Sequence, residues 1–344
     1  MKAVAVAVFA VGAAFSAPAV TLTSGEQAAR TLFPRAISGI AYVVGDEYYA
    51  VADNGPECGL YPCRLRLGAD GRSVASFSVD TNGFVRLKGA VDLEAVAYDP
   101  LSRNVWAADE AGRSIKEYDP KTGAVVQSLE LPKVFAKTRL NYGLESLAIS
   151  RNGLTLWTAN EEALPLDGDK SSHDGGTTVR LAKFVRKSAR DRFRLAAMYP
   201  YTTGRWHNRY KGGGAARRGV VELCALPGGA LLVLERECSF SREGTDIWAK
   251  LSGGFWCTVC LVAEPDGVRD VKDVPSLCAE RCQSVEKTVL FDFIAGLNNY
   301  EGMCLGPRLS DKTLSVILVS DAGDGRTVPS VLPLVLDLSA RGAE

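Results

Sequence analysis

Short apolar runs alternate with polar, glycine-rich turns along the chain, and one arrangement of the two recurs five times. The segments are Ser38-Gly-Ile-Ala to Ala52-Asp53, Glu94-Ala-Val-Ala to Ala108-Asp109, Glu145-Ser-Leu-Ala to Ala159-Asn160, Glu222-Leu-Cys-Ala to Leu234-Glu235, and Glu301-Gly-Met-Cys to Ser320-Asp321. Each opens on a polar residue, followed by a variable, an apolar and a small one. A turn such as Asp99-Pro100, Arg151-Asn152-Gly153 or Pro227-Gly228-Gly229 then leads into a β-rich run that ends in Asp, Asn or Glu. Strand, tight turn, strand is a hairpin. Further β-like stretches at Ser114–Tyr118, Val125–Leu131, Val179–Val185 and Val289–Phe293 lie between the hairpins, and helical periodicity is scarce.

Repeated hairpins with outer strands between them read as propeller blades. The pattern predicts an all-β fold, a β-propeller of five or six blades of antiparallel strands. The lead residues stand about 55 positions apart early and about 78 later. The wide gaps therefore hold either long loops or a sixth blade, between Thr177 and Tyr210 or between Ile247 and Val271. Val331–Leu338 is expected to be an outer strand that closes the ring with N-terminal residues.

One domain is expected over residues 20–344. Residues 1–19 have the layout of a secretory signal: Lys2, an uncharged apolar run from Ala3 to Phe15, then Ser16, Ala17 and Ala19. That run is shorter than a bilayer span requires. The chain is accordingly expected to be exported, periplasmic or extracellular, monomeric, and without membrane attachment after cleavage. Lys and Arg together number 40, as do Asp and Glu, a balance that gives no general attraction to nucleic acid or anionic lipid.

Nine cysteines are many for an exported chain of this size, and export makes disulfides the default. Cys58 and Cys63 bracket Gly-Leu-Tyr-Pro and are expected to be bonded. Cys257, Cys260, Cys278 and Cys282 form a C-x2-C…C-x3-C array, which in an oxidising compartment reads as two disulfides and in a reducing one as a zinc site. Cys224 and Cys304 fall at inner-strand positions and are expected to be buried thiols.

A propeller hairpin begins and ends on one face of the disc, near the axis. The repeat therefore gathers Glu94, Glu145, Glu222 and Glu301 with Asp53, Asp109, Glu235 and Asp321, while Glu110 and Glu161 stand one step beyond. So many carboxylates cannot all ionise side by side without protons, cations or interleaved basic groups. A flexible ring of hard oxygens suits Ca2+ best. Bound Ca2+ would in turn hold a phosphate, with Arg236 as the best-placed guanidinium. These eight acids are the expected metal ligands, and Glu145, Glu301 and Arg236 the expected catalytic residues. Against this stands a purely structural role, in which strand-end acids accept backbone N–H bonds in their own turns. Nucleophilic catalysis has little support: His173 and His207 lie in polar loops, and neither a Gly-x-Ser-x-Gly elbow nor a Walker or dinucleotide loop occurs.

Several motifs carry a family resemblance. They are Ile37-Ser-Gly-Ile-Ala with Ala52-Asp-Asn, Asp92-Leu-Glu-Ala-Val-Ala, Asn141-Tyr-Gly-Leu-Glu-Ser-Leu-Ala with Trp157-Thr-Ala-Asn-Glu-Glu, Leu232-Val-Leu-Glu-Arg, and Asn299-Tyr-Glu-Gly-Met with Val319-Ser-Asp. From about Ile37 to Gly325 the chain resembles the esterase-like phytase family of β-propellers. The resemblance implies a propeller and an extracytoplasmic hydrolase acting on phosphate or other esters. Two departures stand out: the segment from Cys257 to Cys282, and Asn160 where an acid is expected. The leading expectation is a Ca2+-dependent hydrolase of a small anionic or phosphorylated substrate. A non-catalytic binding scaffold and a carboxylic esterase are the alternatives, since the motifs supply mainly Arg236 to receive a phosphate.

Overall fold

The computed structural model describes residues 19–24, 29–30, 37–53, 57–139, 143–207, 216–239, 254–265, 267–321 and 329–340. Five antiparallel sheets follow one another along the chain. Blade one is β3 (Ile37–Val44), β4 (Glu47–Ala52), β5 (Gly59–Leu67) and β6 (Val74–Val79). Blade two is β7 (Leu93–Tyr98), β8 (Val105–Asp109), β9 (Ser114–Tyr118) and β10 (Val125–Ser128). Blade three is β11 (Leu144–Ile149), β12 (Thr155–Asn160), β13 (Thr178–Val185) and β14 (Arg194–Thr202). Blade four is β15 (Ala216–Ala225), β16 (Leu231–Ser239), β17 (Gly254–Val262) and β18 (Thr288–Gly296). Blade five is β19 (Asn299–Arg308), β20 (Thr313–Asp321) and β21 (Ser330–Ala340), completed by β1 (Ala19–Ser24), with β2 (Ala29–Arg30) also paired to β21.

Each repeated hairpin supplies the two inner strands of a blade. The innermost strands β3, β7, β11, β15 and β19 each pack on the next, and β19 packs on β3, so the ring closes at five. The wide gaps in the sequence hold β13, β14 and β17 with long connections, not a sixth blade. Register pairs such as Thr21↔Asp337 and Ser24↔Leu334 put the N- and C-terminal strands in one sheet, the closure the apolar pattern predicted. The expected leader, residues 1–19, lies outside the described residues apart from Ala19, and so do Asn141 and Tyr142 of the third motif. Among the described residues no helix is long and apolar enough to cross a membrane.

Successive side chains on a strand face opposite sides, so every blade buries one apolar face against each neighbour. Five clusters result, one per blade interface. Trp106 and Phe184 sit between blades two and three, Trp157 and Leu223 between three and four, and Met303 and Leu232 between four and five. Buried ion pairs also tie blades together. Arg186 of blade three reaches Asp99 of blade two at 2.6 Å, both side chains fully buried.

The same alternation corrects the cysteine expectations. All nine cysteines are free thiols. Cys58 precedes β5 and Cys63 lies within it; Cys58 packs between blades one and two, and Cys63 between blades five and one. A disulfide needs Cα atoms within about 7 Å and Cβ vectors that converge, which opposite faces of an extended segment deny. Cys257 and Cys260, three apart on β17, likewise enter different interfaces. Cys278 is exposed and Cys282 half-buried, far along a separate loop, so the array forms neither a disulfide pair nor a zinc tetrad. Cys224 and Cys304 are buried thiols, as expected. Burial pushes the Cys58 thiol up to about 11 and the Cys63, Cys257 and Cys260 thiols up to about 12, which suppresses the reactive thiolate. Alkylation without reductant is expected to modify Cys278 and Cys282 in the folded protein and all nine cysteines in denaturant. Mass spectrometry that finds fewer than nine after denaturation would contradict the thiol assignment.

Candidate functional site

The register of every inner hairpin breaks within its first strand. Partners run Ile37↔Ala52 then Gly39↔Val51, Leu93↔Asp109 then Ala95↔Ala108, and Leu144↔Asn160 then Ser146↔Ala159. Blades four and five follow with Val220↔Glu235 then Glu222↔Leu234, and Tyr300↔Ser320 then Gly302↔Val319. One residue per blade is thus bulged out of the ladder: Ser38, Glu94, Glu145, Val221 and Glu301. A bulge re-aims the extra side chain and sharpens the local twist. In blades one, two, three and five a small residue follows it (Gly39, Ala95, Ser146, Gly302), and at the two glycines neighbouring backbones almost touch: a Cβ on Gly39 would lie 3.0 Å from the Ala95 Cα, and one on Gly302 2.8 Å from the Ser38 carbonyl oxygen.

By this register the residues that follow the ladder partner of the residue before each bulge are Asp53, Glu110, Glu161, Arg236 and Asp321. Together with the bulged residues they form one constellation drawn from all five blades. Arg236 of blade four donates through Nη2 to Glu161 Oε1 of blade three at 2.8 Å. Its Nη1 donates to Asn299 Oδ1 at 2.9 Å and to Glu301 of blade five. Asn299 also donates to Glu301, at 2.8 Å. In blade two, Asp92, Glu94 and Glu110 each place a carboxylate oxygen within 4.8 Å of the others. The Gly143 N–H donates to Glu110 at 2.6 Å. Asp53 and Glu301 lie within electrostatic reach of Glu94. Asp321 pairs with Asn299 across the β19–β20 ladder.

Acids outnumber bases in this mouth, and the electrostatics follow. Burial drives the Glu94 carboxyl well above the usual range, reinforced by Glu301, Asp92, Glu110 and Asp53. Burial does the same to Glu145, with Glu161 and Glu94 adding and Arg236 opposing. Glu110 and Asp92 are raised mainly by burial. Glu161 Oε2 is buried and makes no hydrogen bond among the described residues. Lys170 meets Glu162 at 3.2 Å on the flank.

Three of the sequence-selected acids face elsewhere. Asp109 accepts N–H bonds from Val91, Asp92 and Gly112 at 2.9–3.3 Å and orders its own turn. Glu235 is fully buried between blades three and four, where it accepts from Tyr201 at 2.5 Å, Gly204 N–H at 2.8 Å, Arg218 Nε at 2.7 Å, and Lys287. Burial works against its charge, but Arg218 and Lys287 prevail and hold it down at about 2. Glu222 is one residue past the bulge and therefore deeper in the channel. Its Oε1 accepts the Leu147 N–H at 2.8 Å and its own neighbour Leu223 N–H at 2.9 Å, and burial raises its carboxyl well above the usual range. The structure thus brings together Asp53, Glu94, Glu145, Glu301, Asp321 and Arg236 from the expected set and adds Asp92, Glu110, Glu161 and Asn299. Asp92 and Asn299 open motifs already quoted; only the register shows that they share a site.

Fold and site together define a five-bladed propeller with a carboxylate-lined axial mouth. The sequence profile described as "Phytase-like: Esterase-like activity of phytase" matches residues 35–322, and the chain belongs to that family. The motifs quoted for the resemblance contain the bulged residues Ser38, Glu94, Glu145 and Glu301. A search of curated proteins found no match. Among solved structures, the chain is similar to hydrazine synthase of Kuenenia stuttgartiensis at 12% identity, covering 85% of this chain and 78% of that one, with a TM-score of 0.36. A Dyadobacter fermentans protein of unknown function is similar at 6% identity, with coverage of 92% and 97% and a TM-score of 0.39. The β-propeller domain of Cps50 (Swd1) from Myceliophteria thermophila is similar at 9%, with coverage of 89% and 98% and a TM-score of 0.35. At these scores the likenesses carry no argument about function.

Two substitutions separate the roles. Arg236→Met leaves Glu161 and Glu301 buried without their countercharge and is expected to lower stability by about 3–5 kcal/mol in a urea titration. Glu145→Gln is expected to do the reverse above the ordinary carboxylate range. With a raised folded-state value, wild-type Glu145 costs nothing while protonated in both states and destabilises the fold as pH rises from about 4.3 through that raised value. In chelator, the Gln variant should therefore match wild type near pH 4 and exceed it near pH 8. Equal stability at both values would contradict the assigned burial of charge.

Proposed function

We propose that the protein is an exported hydrolase of phosphate esters whose axial mouth binds a divalent cation, Ca2+ in preference to Mg2+. The observation that carries this reading is the Asp92, Glu94 and Glu110 cluster, with mutual oxygen distances within 4.8 Å, set in a mouth where acids exceed bases. The donor set fits the ion: hard carboxylate oxygens from loop and strand ends suit the irregular coordination of calcium. The buried, unpartnered Glu161 Oε2 adds a further oxygen that a cation would satisfy.

A bound Ca2+ would supply positive charge to a phosphoryl oxygen and lower the pKa of a bound water. The chain's own groups divide the remaining work. Burial raises the Glu145 carboxyl well above the usual range, which makes it the group suited to give or take a proton beside the mouth. Arg236 keeps Glu161 and Glu301 in place. Its Nη donors are committed to Glu161, Asn299 and Glu301, so it acts as a fixed internal cation, not as a free clamp on substrate. That commitment is what favours the second reading, a cation-binding scaffold without hydrolytic activity.

Melting curves in calcium and in chelator test the metal. Calcium at a hundred times its dissociation constant should add about 2.7 kcal/mol to stability. Glu94→Gln with Glu110→Gln should lose that response, and Glu222→Gln, which retains the carbonyl that accepts Leu147 and Leu223, should keep it. An unresponsive wild type would rule out the cation site. Release of phosphate from inositol hexakisphosphate and p-nitrophenyl phosphate, with and without chelator, tests the chemistry. Calcium stabilisation without hydrolysis would leave the scaffold reading.

A further inference from the structure

The opposite end of the axial channel holds a cavity of about 240 Å3. One repeat position from every blade lines it: Ile40, Val96, Leu147, Leu223 and Met303, each two residues past the bulge. Two positions further along, Tyr42, Tyr98 and Leu305 line its outer part. Every blade thus contributes an apolar side chain to a wall that is mostly apolar. Its inner end is adjoined by Leu147 and Leu223, whose N–H groups are held by Glu222. Burial raises the Glu222 carboxyl well above the usual range there, and no acid is among the residues that line the cavity.

The lining includes one charged side chain, Arg151. It belongs to the β11–β12 turn of blade three, and its Nη2 donates to the Gly306 carbonyl at 3.0 Å. Gly306 is in β19 of blade five, which is not a neighbour of blade three. The side chain consequently lies across the mouth instead of along the rim. Arg151 makes no ion pair among the described residues. The acids nearest in the fold are engaged elsewhere: Asp99 with Arg186 at 2.6 Å and Glu264 with Lys183 at 3.1 Å.

We infer that this cavity is a binding site for a small amphiphilic monocarboxylate, an alkyl or aryl acid whose apolar body fills the channel end and whose carboxylate pairs with Arg151. Ligand sites of this kind are concave and mostly apolar, with a few polar groups fixing orientation. A guanidinium fork matches a carboxylate in a bidentate pair. A phosphate dianion is disfavoured because a single fork against an apolar wall leaves most of its charge desolvated and unpaired. Cations find no partner here. The small volume selects short chains or one ring.

Isothermal titration of the full chain with octanoate and with octanol, in chelator to silence the other mouth, tests the site. Octanoate should bind saturably at one per chain. Arg151→Gln, at an exposed turn residue, should weaken octanoate at least tenfold and leave octanol unchanged. Leu305→Trp should abolish binding of both by filling the half-buried outer cavity. No saturable octanoate binding to wild type would overturn the proposal. So would equal affinity in Arg151→Gln, or retained binding in Leu305→Trp with its melting temperature intact. None of these outcomes depends on calcium or hydrolysis.

Discussion

The bulge at the head of each inner strand is the constraint on which the axial chemistry depends. Without it, every side chain of an inner strand would enter one of two blade interfaces, because a strand has only two faces. The interruption of the ladder at Glu94, Glu145 and Glu301 releases one residue per blade from that alternation. It also brings neighbouring backbones to contact at Gly39 and Gly302, which is why glycine follows the bulge in blades one and five. A cluster of like charges is then imposed by the fold itself. The ring must answer it with an internal cation, with raised carboxyl values or with a bound ion, and the first two answers are visible in Arg236 and in Glu94 and Glu145.

The five hairpins, the shared face and the terminal closure were legible in the sequence because they depend on period and turn chemistry alone. What was not legible depends on register. In blade four the repeat was aligned on Glu222, the only acid available, but the ladder breaks at Val221. A one-residue offset moves the carboxylate from the mouth into the channel, where it meets the Leu147 N–H. The acids at strand ends met the same limit. Asp109 and Glu235 occupy ladder positions and face blade interfaces, whereas Glu110, Glu161 and Arg236, at the next repeat position, face the axis. Identity of residue type suggested one ring; parity separates two.

Parity also decided the cysteines. Gly59 to Pro62 has the composition of a loop, yet it is the start of β5, so Cys58 and Cys63 end in different interfaces. The same holds for Cys257 and Cys260 on β17. A C-x2-C spacing converges on a metal or a disulfide when the chain turns between the two cysteines; in an extended strand it sends them apart. No feature of the spacing itself distinguishes these cases. The neighbouring apolar run, Val259 to Val262, does, because it marks the segment as strand.

Glu222 gives the channel its polarity. Were it bulged like Glu145, it would join the acids of the mouth and sharpen their repulsion. Were it a small residue like Ser146, its structural counterpart in blade three, the Leu147 N–H would face the lumen without its acceptor. As built, the Glu222 carboxyl, raised well above the usual range by burial, satisfies two amides from blades three and four. It stands between a carboxylate-lined end and a mostly apolar one. The ligands proposed for the two ends differ accordingly, a cation at the first and an apolar body with a single negative charge at the second, although both ends are lined by successive positions of the same five strands.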